Sequence, residues 1–189
     1  MDALLLASAS PRRAQLLTAA GIRFESQPSE VDETLHPGEA PADYVRRLAR
    51  EKAEAVARLN PGRLVLGADT TVVVDGRSLA KAEDAAEAGA MLGQLAGRAH
   101  LVLTGVALVG PGLSVVDVAS TTVEFAPMTS EDIGRYVATD EWRDKAGAYG
   151  IQGYGATIVE RIEGDYFSVM GLGLRRLVAL IERIGLRYD

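Results

Sequence analysis

The sequence has no cysteine and only two histidines among its 189 residues, and its 20 Lys+Arg are outnumbered by 26 Asp+Glu. The missing thiols exclude disulfides, thiolate metal sites and a cysteine nucleophile together. His36 and His100 stand alone, and no H-E-x-x-H occurs, so a zinc-protease helix is excluded. No G-x-x-x-x-G-K-[ST] is present, which speaks against a P-loop enzyme, and no G-x-S-x-G elbow presents a serine. No G-x-G-x-x-G follows an early strand. Gly171-Leu172-Gly173 precedes a helical pattern but lacks the third glycine and the acid beyond it. No apolar run reaches the ~18–20 residues of a membrane span. Met1-Asp2 lacks the basic start of a secretory signal. The expectation is a soluble, cytoplasmic protein with no membrane partner. A formal net charge of −6 argues against a protein that coats nucleic acid.

What is present is ordinary globular material: 48% hydrophobic and 24% charged residues, enough for one domain over 1–189 with a sizeable core. Ala3–Ala7 is an uninterrupted apolar run, the pattern of a strand buried on both faces. Ser10-Pro11 then opens a helix that Gly21 closes. Arg23–Gln27 predicts a strand and Pro28–Pro41 an acidic loop. Asp43–Leu59 is the clearest helix, with Val45, Leu48, Ala49, Val56 and Leu59 on one stripe. Leu64–Val74 predicts a strand ending at the Asp75-Gly76 turn, and Asp84–Leu95 a helix. His100–Val109 and Leu113–Phe125 read as long strands joined at Gly110-Pro111-Gly112. Thr129 and Asp132 form a capping box. After a glycine-rich loop over Gly147–Gly155, strands are predicted near Thr157–Ile162 and Tyr166–Met170, then a terminal helix over Leu174–Ile184. The pattern is α/β with some antiparallel pairs.

Chemistry tends to sit where a local rule is broken. Arg12 and Arg13 fall in the first turn of the helix after Ser10-Pro11, where cations oppose the helix dipole. Free N–H groups and two guanidinium groups after a buried strand suit a phosphate; a solvated Ser-Pro-Arg surface segment or a phosphorylation site is the alternative. Lys52 lies in the middle of the apolar stripe of the long helix, so it either snorkels or reaches a phosphate or carboxylate. Asp69 interrupts the apolar strand Leu64–Val74, either capping a bend or held for chemistry as a Mg²⁺ ligand or a base. Asp32-Glu33 in the acidic loop would add oxygen ligands, or is merely solvated. Lys81 lies in a further loop and is unremarkable alone. Asp144–Gly153 contains Gln152, whose amide suits a base edge; an ordinary glycine-rich crossover would look the same.

Taken in order, Leu6-Ala7-Ser8-Ala9-Ser10-Pro11-Arg12-Arg13, Val31-Asp32-Glu33, Leu48–Ala53, Gly67-Ala68-Asp69-Thr70, Arg98 with His100, Thr104-Gly105, Asp144–Gly153 and Gly164-Asp165-Tyr166 through Leu172 resemble the Maf family of nucleoside triphosphate pyrophosphatases. The similarity runs end to end. Departures are Ala82 and Gly173, where the family usually has proline. The resemblance implies an elongated α/β mixed sheet with flanking helices and two lobes around a deep cleft, similar to inosine triphosphatase. It implies cleavage of a nucleoside triphosphate between the α and β phosphates, and Thr70 and Gln152 look like the branch acting on dTTP and UTP or on modified pyrimidine triphosphates. On that resemblance Ser8, Arg12 and Arg13 would bind the triphosphate, and Lys52 and Lys81 would neutralise developing charge. Glu33 and Asp69 would bind Mg²⁺ or Mn²⁺, Asp69 would also act on the attacking water, and Thr70 and Gln152 would read the pyrimidine. A homodimer is implied as well. The rival reading is a nucleotide-binding regulator of cell division and septum formation with little turnover.

Overall fold

The computed structural model describes residues 3–187. Its centre is a mixed seven-stranded sheet in the order β2-β1-β3-β5-β6-β7, with β4 paired to β3 off that path. β1 (Leu4–Leu6) lies parallel between β2 (Phe24–Ser26) and β3 (Val65–Val74). It is buried throughout, which is why it reads as a plain apolar run with no alternation. β3, β5 (Ala99–Gly110), β6 (Leu113–Phe125) and β7 (Val159–Glu163) continue the sheet antiparallel. Asp75 and Gly76, both with positive φ, make the two-residue turn from β3 into β4 (Arg77–Leu79). The sequence pattern did not indicate β4, because three residues are too few to show alternation.

The two faces of the sheet are covered differently. One face carries α2 (Pro41–Leu59), whose buried side chains are Val45, Leu48, Ala49, Lys52, Ala53 and Val56. Leu59, expected on that stripe, is 73% exposed because it is the last helical residue. Gly67 of β3 and Gly105 of β5 let α2 lie backbone against backbone on the sheet. A Cβ on Gly67 would overlap the Ala49 carbonyl oxygen and lie 2.8 Å from Ala53 N, and one on Gly105 would overlap the Val45 carbonyl. The opposite face holds two cores. At one end α1 (Pro11–Ala19) and α6 (Leu174–Arg183) pack on Leu4, Leu6, Leu66 and Leu108. At the other, α3 (Ala85–Leu95) and α4 (Ser130–Val137) gather around Val102, Phe125, Trp142 and Tyr149. The Thr129–Asp132 capping box opens α4 as expected.

One predicted element changes type. Tyr166–Met170 is not a strand; Tyr166–Val169 forms a short helix, α5. Its apolar alternation resembles a strand, but the Asp165 side chain accepts from Phe167 N and from Ser168 Oγ at 2.6 Å, and that cap fixes a helical turn. Among the described residues no helix is long and apolar enough to cross a membrane.

Candidate active site

β1 pairs with β3 only at Val65 and Leu66, and β4 joins the same edge only from Val72. The stretch 67–71 of β3 therefore has an open edge beyond the C-terminal end of a parallel strand, the place where α/β sheets gather ligands. A cavity of about 950 Å³ lies there, and Ser8, Arg12, Arg13, Glu33, Lys52, Asp69, Thr70 and Lys81 all line it. Residues far apart in the chain meet because the segment after β1 delivers Ser8, α1 delivers Arg12 and Arg13, α2 delivers Lys52 and β3 delivers Asp69 and Thr70.

The charged centre is Lys52. Its Nζ lies 2.7 Å from Asp69 Oδ1 and 2.7 Å from Glu33 Oε1. Lys52 and Asp69 are both buried, so the snorkelling alternative for Lys52 does not hold. The close seating of α2 on Gly67 and Gly105 sets this contact. Burial pushes the Asp69 carboxyl above its usual pKa, against the pull of Lys52 and Arg13 and with the push of Glu33. Glu33 feels burial too, but its hydrogen bond to Lys52 and the charges of Lys52, Lys81 and Arg13 hold it below the usual range. Glu33 sits on the acidic loop, which α2 fastens: Tyr44 donates from its hydroxyl to Glu33 O at 2.9 Å, and Arg47 donates to Thr34 O and pairs with Glu39 at 2.7 Å. Burial, with the charges of Asp69 and Glu33, raises the Tyr44 phenol to about 12.

At the start of α1, Pro11 occupies the first turn, no acid is present there, and Ser10 makes no side-chain cap. The free N–H groups thus keep the positive end of the helix uncompensated at the cavity. Ser8 Oγ accepts from Ser10 N at 3.1 Å and from Arg13 Nη1 at 3.0 Å, and Arg13 Nε donates to Gly171 O at 2.9 Å. Arg13 therefore braces α1 against the loop after α5 while still lining the cavity. Burial lowers the pKa of both arginines, opposed chiefly by Asp69 for Arg13 and by Asp144 for Arg12. Exposed Lys81 is joined to the glycine-rich loop by a β-bridge to Ala146 and a bond from Gly147 N to Ala80 O at 3.0 Å.

Gln152 is the one candidate not brought to this cavity. It is exposed and lines an adjoining cavity of about 310 Å³, whose shared walls include Arg12, Lys145 and Tyr149. Sequence reasoning assigned no role to Tyr44, Lys145 or Tyr149, all on the main cavity wall. Tyr44 was findable, since it lies three residues before Arg47 on the flank of the stripe that carries Lys52. Lys145 and Tyr149 sit in an irregular loop where no period predicts orientation.

A family model described as Maf-like protein matches residues 3–184. The chain is 52% identical over 185 residues to a dTTP/UTP pyrophosphatase of Symbiobacterium thermophilum, covering 98% of this chain and 95% of that one. It is 49% identical over 185 residues to a protein of the same name from a Geobacillus strain, covering 98% and 100%. A third of that name, from Koribacter versatilis, is 47% identical over 182 residues, covering 96% and 94%. Matched by the family model over nearly its whole length and about half identical to these relatives, the chain belongs to the Maf-like protein family.

Proposed function

We propose that this protein is a nucleoside triphosphate pyrophosphatase that hydrolyses dTTP and UTP to the monophosphate and pyrophosphate. The observation that carries the reading is Lys52, held 2.7 Å from both Asp69 and Glu33 at the wall of a cavity that also receives the N-terminus of α1. The relatives named dTTP/UTP pyrophosphatase, similar over nearly the whole chain, support the choice of nucleotide. Arg12, Arg13 and the free N–H groups of α1 would hold the triphosphate. Lys52 and Lys81 would offset the charge that develops on the leaving pyrophosphate. Asp69, made more basic by burial, would take the proton of a water as its oxygen bonds to the α-phosphorus. The α–β bridging bond then breaks, and the bridging oxygen leaves with the pyrophosphate.

Asp69 and Glu33 are hard oxygen donors on one cavity, and no group of three His, Cys, Asp or Glu is placed for a metal among the described residues. That donor set fits Mg²⁺ or Mn²⁺ arriving with the triphosphate, since Mg²⁺ is held by one or two carboxylates together with phosphate oxygens and water. When bound, the ion would supply charge neutralisation on the phosphates. Binding alone would need no carboxylate that burial has made more basic at the wall of the phosphate cavity, as Asp69 is, which disfavours a regulator without turnover. We also assign the protein to the cytoplasm and to a homodimer, which light scattering on the purified protein would test by a mass near twice 20.0 kDa. For the reaction, incubation with dTTP or UTP and Mg²⁺ should give monophosphate and pyrophosphate on chromatography. Nucleoside diphosphate and orthophosphate would instead overturn the bond assignment.

A further inference from the structure

Thr70 stands opposite Thr104 in the antiparallel β3–β5 register, and their hydroxyl oxygens are 2.9 Å apart. Thr104 is fully buried, and its hydroxyl lies 2.8 Å from Ser168 O. A carbonyl only accepts, so the single Thr104 proton goes to Ser168. Thr104 then has lone pairs left for Thr70, and the proton between the two hydroxyls must come from Thr70. Ser168 O also accepts from Gly171 N at 2.9 Å, so both of its lone pairs are committed. The turn that holds this carbonyl is itself fixed, through Ser168 Oγ donating to Asp165 Oδ2 at 2.6 Å. The direction of the chain Thr70 to Thr104 to Ser168 is thereby set.

Thr70 lines the main cavity with its proton already spent inward. What it shows a ligand is a hydrogen-bond acceptor. An acceptor there is useless to a phosphate oxygen and suited to an N–H. Next to it, Arg13 supplies donors: its guanidinium and Thr70 Oγ1 both lie within 4 Å of where a Gly171 Cβ would be, and glycine leaves that space open. A donor beside an acceptor complements the carbonyl and imide N–H edge of uracil or thymine.

We propose that Thr104 is a positioning residue for substrate choice: by taking the proton of Thr70 and passing its own to Ser168, it fixes Thr70 as the acceptor for the N3–H of a uracil or thymine base. The inference rests on the pyrophosphatase function proposed above and adds to it the polarity of the base contact. Thr104→Val keeps the shape but frees the Thr70 hydroxyl to rotate and donate. The ratio of kcat/KM for UTP to that for CTP should then fall by about 10-fold, the worth of one fixed hydrogen bond. Thr104→Ser retains the relay and should keep the unaltered ratio, whereas general damage would lower both substrates alike. An unchanged ratio in Thr104→Val overturns the inference. Should that variant fail to fold, N3-methyl-UTP with the unaltered protein decides: a loss of about 10-fold or more against UTP supports the inference, and equal turnover overturns it. Absence of UTP hydrolysis by the unaltered protein would instead overturn the function itself, a result separate from the other outcomes.

Discussion

The two faces of the central sheet use neighbouring residues for opposite purposes. On the α2 face, Gly67, Asp69 and Gly105 bring a helix backbone into contact with the strands and bury an ammonium against a carboxylate. On the other face, one residue along, Thr70 and Thr104 lead into a neutral polar chain, and His100 further down β5 pairs through Nε2 with the Tyr149 hydroxyl at 2.8 Å. Because side chains alternate along a strand, Asp69 and Thr70 diverge yet border the same cavity at the open edge of β3. The two faces thus supply one cavity with different groups: a buried ammonium–carboxylate pair from the α2 side, and from the other side the hydroxyl relay of Thr70 with the Arg13 guanidinium beside it.

The largest effect is expected where the charged face is broken at its centre. Asp69→Asn retains size but removes the base, and turnover of dTTP should fall by about 10²- to 10⁴-fold with an unchanged circular dichroism spectrum. Near-normal turnover would move the catalytic role elsewhere. Gly67→Ala attacks the same face through packing. The added methyl meets backbone of α2, so stability should fall by about 3 kcal/mol or more, with Lys52 drawn away from Asp69 and activity lost. Gly93, exposed on α3 with nothing within 4 Å, is the counterpart: Gly93→Ala should stabilise by roughly 0.5–1 kcal/mol in denaturant melts. Equal effects at the two glycines would contradict the close seating of α2.

That asymmetry was half legible in the sequence. Lys52 on an apolar stripe and Asp69 inside an apolar strand each broke a local pattern, and two such breaks explained each other once they met. Pattern found the long elements: α2 has one dominant buried face, and β3 and β5, buried on both faces, read with β6 as long apolar runs. It failed at Tyr166–Val169, where a side-chain cap outweighs alternation over four residues, and at β4, which exists only because a turn returns three residues to β3. The bracing of Glu33 by Tyr44 and of Arg13 by Gly171 depends on tertiary distance, which no spacing encodes.

The face opposite α2 makes its own prediction through pH. Burial lowers the His100 pKa from 6.5 to about 4, so the folded protein keeps the ring uncharged while the unfolded chain begins to protonate it below 6.5. The stabilisation is complete above that value and is lost as pH falls toward 4, by about 3 kcal/mol for the buried ring. Denaturant midpoints measured between pH 7 and 4 should show the fall, and His100→Gln should remove that part of it. An identical slope in the variant would assign the acid sensitivity to other groups.

The smallest effect is expected at the edge of the face opposite α2. Gln152 is exposed in the adjoining cavity, beyond the wall formed by Arg12, Lys145 and Tyr149. Thr70 lines the main cavity and its hydroxyl is oriented by a buried partner. A contact from a solvated amide replaces one with water and gains little, whereas a pre-oriented acceptor keeps most of its hydrogen-bond energy. Gln152→Ala should therefore lower kcat/KM for dTTP by only about 2- to 5-fold, and Thr70→Val by about 10-fold. The reverse order would mean that the base is read in the smaller cavity, and that Arg12 lies between base and phosphates as the hinge of the whole site.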